Sequence, residues 1–191
     1  MSSRLHRLAF GLALAASVAA PAWAQPGAYT HVLPASTVTF GATQMGVAMH
    51  GRFARLSAQI DFVPADLAKS HVSVTIDAAS VDAGSSQTNA LLTGADWLDA
   101  KAYPQARFVS SSFAPDGPGR YWVSGQFTAK GHTQPMRVLV TTQAAGADLA
   151  MDADFTLQRT TFGLGTGSWA DTGVVAAGIP VHVHLLVAPQ G

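Results

Sequence analysis

An antiparallel all-β domain is the fold class this sequence predicts, and three observations carry it. Short stretches alternate apolar and polar side chains with a period of two, as in Val72, Val74 and Ile76 against Ser73, Thr75 and Asp77; this is the pattern of a strand with one buried face. Clusters of Gly, Pro and Asp separate several such stretches, as in Pro115 to Gly119, and these residues punctuate turns. All eleven acidic residues are Asp and none is Glu, and Asp belongs at turns and caps more than in helix interiors.

In chain order, strands are expected over Thr37 to Phe40, Arg52 to Phe62, Val72 to Asp77, Ala106 to Phe113, Tyr121 to Phe127, Met136 to Thr142, Leu149 to Leu157 and Val181 to Leu185. One segment breaks the alternation. From Ser85 to Ala102 the apolar residues Ala90, Leu91, Leu92, Ala95, Trp97 and Leu98 fall closer to helical spacing, so a pair of short helices is expected, the second capped by Asp96. Eight strands are enough to close a sheet and remove its edges. An eight-stranded β-barrel with a short helical insert is therefore favoured over a sandwich. No repeat or linker follows residue 25, and residues 25–191 are read as one domain.

Residues 1–24 read as a secretory signal peptide: Arg4, His6 and Arg7 precede an apolar run from Leu8 to Ala20, and Ala22 and Ala24 supply the small residues of a cleavage site. The run is short of the ~20 residues that span a bilayer, so no stable membrane anchor is expected and the mature chain should lie outside the cytoplasm. Removing Arg4 and Arg7 leaves nine basic against eleven acidic residues, a formal charge of −2. That leaves no basic field for nucleic acid or an anionic membrane surface. There is no Cys, so stability must come from core burial despite an oxidising destination.

Four stretches together resemble the YceI-like lipid-binding family. They are Ser36 to Phe40 with Gly51-Arg52-Phe53; Leu91-Leu92 through Trp97-Leu98-Asp99 and Tyr103-Pro104 to Ala106 to Ser110; Gly125 to Thr128 with Gly131 to Pro135; and Leu157-Gln158-Arg159 with Phe162-Gly163-Leu164. The resemblance implies an extended lipocalin-like barrel whose lumen holds an isoprenoid chain, such as a polyprenyl compound or a quinone tail, in a periplasmic protein without established catalysis. Two positions depart from the family pattern: Asn89 stands where an Asp is common, and Val174 to Pro180 lacks the acidic residue often found before the last strand.

A prenyl chain offers few hydrogen-bonding groups, so its recognition rests on removing apolar surface from water, at about 25 cal/mol per Å². The residues on the apolar parity of the strands would line the lumen: Phe40, Val72, Val74, Ile76, Val123, Phe127, Val138, Phe155, Val181 and Val183. The alternative is that they fill the barrel themselves, since eight strands enclose a space just wide enough for side chains. Met45, Met49, Met136 and Met151 could adapt to a bent chain or fill core. Trp97 would close one end of the lumen or anchor the helical insert. Arg159, beside the apolar stretch Phe155 to Leu157, needs a carboxylate or several carbonyls if buried; an Asp partner is expected, with contact to a polar headgroup as the alternative.

Other motifs point to chemistry less well. His182 and His184 share one strand face and could give two metal ligands, but Val181, Val183 and Leu185 take the inner face, which leaves the histidines in solvent. Asp171-Thr172-Gly173 occurs once, whereas aspartic protease chemistry needs two such carboxylates. Gly163, Gly165 and Gly167 lack a surrounding βαβ unit and read as a mobile loop at the barrel mouth. With no catalytic constellation and no metal site assigned, the expected function is a periplasmic carrier or scavenger of one isoprenoid or other long-chain lipid, with no resident cofactor. The alternatives are a secreted metal-dependent enzyme using His182 and His184, and a filled barrel that binds a protein. Oligomeric state stays open, a homodimer included.

Overall fold

The computed structural model describes residues 28–190, so the expected signal segment lies outside the described residues. The chain forms one antiparallel sheet of eleven strands rather than eight. In order these are β1 (Tyr29–Val32), β2 (Thr37–Gln44), β3 (Val47–Phe53), β4 (Leu56–Asp61), β5 (His71–Asp77), β6 (Val81–Asp82), β7 (Gln105–Pro115), β8 (Arg120–Ala129), β9 (His132–Ala145), β10 (Asp148–Gln158) and β11 (Gly178–Pro189). One helix, α1 (Ser86–Thr93), stands between β6 and β7.

The difference in count has a physical origin in bending. β11 pairs with β2 through Val181 to His184 and with β1 through Val187 to Pro189, so β1 and β2 are two halves of one stave. Likewise β3 pairs with β2 and β6, whereas β4 pairs with β5. The stretch Arg52 to Phe62, expected as one strand, is thus cut at Ala54 and Arg55. At the cut Ala54 N–H donates to the Ser80 carbonyl (3.0 Å), Asp77 N–H to the Arg55 carbonyl (3.1 Å) and Arg55 N–H to Ser80 Oγ (3.1 Å). The facing stave bends at the same level through a single 3-10 turn, Ala78–Ser80, capped by Asp77 Oδ1, which accepts from Ala79 N–H at 2.9 Å. Three bent staves and five continuous strands give the expected eight positions around a rolled sheet.

Reciprocal 3.0 Å hydrogen bonds between Tyr29 and Phe62 bring β1 onto the end of β4 and close the roll at that end. At the other end pairing of β10 with β9 stops at Ala153 opposite Val140, and the two strands part.

The helical insert holds one helix instead of two. Ser85 caps α1 by accepting from Thr88 N–H at 3.1 Å, and Gly94 ends it. Beyond it the chain turns back on itself, with Asp99 at φ 45°, a left-handed conformation that breaks a right-handed helix. Asp96 caps no helix, since none follows α1 before β7; its backbone carbonyl accepts from Gly165 and Thr166 N–H at 2.7 and 2.8 Å.

Two core clusters follow from this roll. One, around Tyr29, Ile60, Phe62, Val123, Leu185 and Val187, sits at the closed end. The other, around Trp97, Ala129, Leu157, Phe162, Leu164 and Val175, sits under α1 and the 159–175 segment.

Candidate functional site: an apolar cavity through the roll

Side chains of one parity on each strand point inward. On β2 these are Val38, Phe40, Ala42 and Gln44; on β10, Met151, Ala153, Phe155 and Leu157; on β11, Ile179, Val181, Val183 and Leu185. Between the two clusters they surround a cavity of about 380 Å³, within the range of small-molecule sites. Its wall on β2 runs from Val38 to Gln44, seven residues or about 20 Å of strand.

The closed end is an aromatic plug. Phe62 meets Tyr121 edge-on with ring centroids 5.1 Å apart, and Phe113 at 6.0 Å. The opposite end lies between α1 and the β2–β3 hairpin, where exposed His50 and Leu91 and half-buried Gln44, Met49 and Thr88 share the lining.

Phe40, Val72, Val74, Ile76, Trp97, Val123, Phe127, Val138, Phe155, Arg159, Val181 and Val183 all stand in this wall. Sequence reasoning did not single out Leu91, Leu92 and Leu98 from the insert, Phe53, Phe62, Phe108 and Phe113, or Leu164 and Trp169. For the strand residues the same period-two signal was available. Of the methionines, Met49, Met136 and Met151 line the cavity, while Met45 faces solvent.

Glycines opposite aromatic rings give two of these side chains their room. Phe40 pairs with Gly51 across β2 and β3, and its ring occupies the space a Cβ at Gly51 would need. Phe108 lies over Gly125 in the same way, but there the Val109 carbonyl also occupies the Cβ position.

Arg159 is fully buried and has no Asp partner, contrary to expectation. Its Nε donates to the carbonyls of Val175 (3.3 Å) and Ala176 (3.1 Å), Nη1 to those of Leu164 (2.9 Å) and Gly165 (3.0 Å), and Nη2 to those of Trp169 (2.9 Å), Val175 (2.8 Å) and Asp171 (3.4 Å). A guanidinium has five N–H donors, and every one of them is used. The alternative of headgroup contact therefore has no donor left to supply it. The guanidinium carbon also lies 5.6 Å from the centroid of the Trp97 ring, within cation–π range. The Asp171 carboxylate instead accepts from Gly173 N–H at 2.8 Å, which makes the Asp-Thr-Gly tripeptide a local turn.

The glycine-rich segment, expected to be a mobile loop, is tied down at this end. Gly163, at φ 63°, ends the 3-10 turn Arg159–Phe162, and its carbonyl accepts from Lys130 Nζ at 2.7 Å. Asp96 holds Gly165 and Thr166 through its carbonyl, and its Oδ1 accepts from Thr166 Oγ1 at 3.1 Å. Trp97 follows Asp96, packs 5.9 Å from the Trp169 ring and stands in the cavity wall beneath this segment. Its Nε1 is the one buried side-chain nitrogen or oxygen without a partner among the described residues.

The polar lining residues are few: Gln44, His50, Thr88, Asp152 and Arg159. Asp152 turns its carboxylate outward, where Oδ1 lies 2.7 Å from His184 Nδ1, and Asp154 Oδ1 lies 2.9 Å from His182 Nδ1. The two histidines thus sit on the outer face. Among the described residues no three His, Asp or Glu side chains gather in a metal-binding group. The positions that depart from the family pattern have structural tasks: Asn89 Oδ1 accepts from Ala83 N–H at 2.7 Å, tying α1 to β6, and Val175 and Ala176 supply carbonyls to Arg159.

Comparison with known proteins agrees with this architecture. The crystal structure of Burkholderia cenocepacia BcnA is similar at 42% identity and a TM-score of 0.77, over 79% of this chain and 95% of that one. A polyisoprenoid binding domain from Saccharophagus degradans implicated in plant cell wall breakdown shares the fold, at a TM-score of 0.67 with 15% identity, over 87% of this chain and all of that one. A UPF0312 protein of Shewanella denitrificans is 29% identical over 114 residues, which span 59% of this chain and only 60% of that curated relative's length. The YceI-like domain family is matched over residues 29–187, and the chain belongs to that family.

Proposed function

We propose that the protein binds the tail of one amphiphile, an isoprenoid such as a polyprenyl compound or quinone or another long-chain lipid, and carries or sequesters it in the periplasm. The observation that carries this reading is the cavity itself, a strand-length space whose inward strand positions beyond Gln44 are apolar. Each CH₂ taken from water into such a wall contributes about 0.8 kcal/mol, so a long unbranched or isoprenoid tail is held without directional contacts. The polyisoprenoid-binding domain with the same fold supports the choice of cargo. Binding and release require no covalent step, and the reading assigns no catalytic residue and no resident cofactor.

The end group of the cargo is neutral on this reading. Arg159 spends its charge on backbone carbonyls, and among the described residues no other Lys or Arg lines the cavity. A phosphate placed there would be stripped of water with no cation to receive it. Mass spectrometry of an organic extract from the purified protein tests the proposal. A co-purifying neutral prenyl or other long-chain lipid at near-stoichiometric amount is expected. A lipid-free protein that takes up no added isoprenoid quinone would overturn it.

A further inference from the structure

We infer that the lip of the cavity is a bilayer-contact surface, led by Met45 and Val47 at the β2–β3 tip and Leu91 on α1, through which cargo passes directly between membrane and tunnel. The inference rests on the proposed lipid cargo and adds where the protein meets the membrane.

Met45 is 77% and Val47 65% exposed, and Leu91 is 38% exposed. Leu91 lines the end of the cavity that Gln44 and Met49 also line, and Met45 and Val47 adjoin Gln44 at the hairpin tip, so apolar side chains continue from the lining onto the outer surface. A tail entering here would leave the acyl layer and reach the tunnel without crossing water. The tip is also held in place. Gln44 pairs with Val47 across a two-residue turn in which Met45 and Gly46 take φ 47° and 81°. Turns of this kind favour Asn or Asp followed by Gly, so a Met at the first position works against local preference and displays a long apolar side chain. Met45 N–H donates to the Val174 carbonyl at 2.8 Å, and Ala176 N–H to the Thr43 carbonyl at 2.9 Å. The hairpin tip thereby leans on the segment that Arg159 organises.

Charge singles out the occupant. Residues 41–51, 83–95 and 172–177, which build the lip, contain no Asp, Glu, Lys or Arg, although the chain has 22 such residues. An apolar lip free of formal charge can enter the low-dielectric interface without stripping water from an ion. With no basic cluster, contact would come from apolar burial and not from attraction to anionic lipid.

The test uses the protein with its cargo as purified and after delipidation, with vesicles of phosphatidylcholine alone or mixed with phosphatidylglycerol, and a long-chain isoprenoid quinone as probe. Both preparations should co-sediment with neutral vesicles, with little change on adding anionic lipid or salt. Met45→Asn with Val47→Thr keeps the turn and the strand while removing the apolar tip. It should slow quinone transfer between vesicles by about tenfold, with quinone content at equilibrium and thermal stability unchanged. Transfer as fast as the parent's, vesicle contact that needs anionic lipid or low salt, or tip residues that instead mediate a dimer would overturn the inference. Vesicle contact through the tip without quinone uptake would leave the surface standing and remove the cargo assignment.

Discussion

Arg159 Nη1 donates to the Gly165 carbonyl at 3.0 Å, and a Cβ at Gly165 would overlap that same nitrogen. The bare glycine, at φ 74°, is what lets the carbonyl and the guanidinium approach. Arg159→Lys replaces five fixed donors by three on a compact ammonium. It should cost about 3–5 kcal/mol, the scale for disrupting a buried charge arrangement, read from denaturant midpoints. A loss under 1 kcal/mol would show that the carbonyl cradle is not what stabilises this end of the cavity.

Val74 stands mid-strand on β5, buried, in the cavity wall. Val74→Asp places a carboxylate there with no partner, a change costing several kcal/mol for the ionised form. Lipid recovered per mole of folded protein should fall at least about tenfold. Unchanged recovery with native circular dichroism would move the cargo away from this wall.

Gly51 and Gly125 should respond differently to the same substitution. At Gly51 the obstacle is the ring tip of Phe40, which can rotate into the cavity. Gly51→Ala should therefore keep most stability while shifting the bound lipids toward shorter chains. At Gly125 the obstacle includes the backbone carbonyl of Val109, so Gly125→Ala should lower stability by a larger amount, on the order of 1–3 kcal/mol. Equal thermal shifts for the two would count against this account of the wall.

Trp97 Nε1 is buried and has no partner among the described residues, so the indole serves the wall by packing alone. Trp97→Phe should therefore lower affinity for a quinone or prenol and for the corresponding hydrocarbon equally, with a difference under about 0.5 kcal/mol. A loss confined to the oxygen-bearing ligands would show that the indole donates to the cargo.

His182 and His184 pair with Asp154 and Asp152 on the outer face and are partly exposed. Replacing both histidines by Ala should change stability by less than about 1 kcal/mol, as for exposed ion pairs. Lipid content should not change, with or without a chelator. Loss of cargo on chelation would revive a metal role for the pair.

The sequence alone determined which face of each strand lies inward, because side-chain direction in a strand alternates residue by residue and needs only local geometry. That is why every residue assigned to the wall from β2, β5, β8, β9, β10 and β11 stands in the cavity wall. Strands β1 and β6 are four and two residues long, too short for an alternation to register. The cut between β3 and β4 depends on hydrogen bonds donated to Ser80 and received from Asp77 N–H, residues that lie more than twenty positions away. Arg159 shows the same limit. Its apolar surroundings announced burial, but carbonyls from Leu164, Gly165, Trp169, Asp171, Val175 and Ala176 replaced the expected carboxylate. Every residue carries a carbonyl, so composition gives no signal of where several will converge. Only the tertiary path of the 159–177 segment brings them onto one guanidinium.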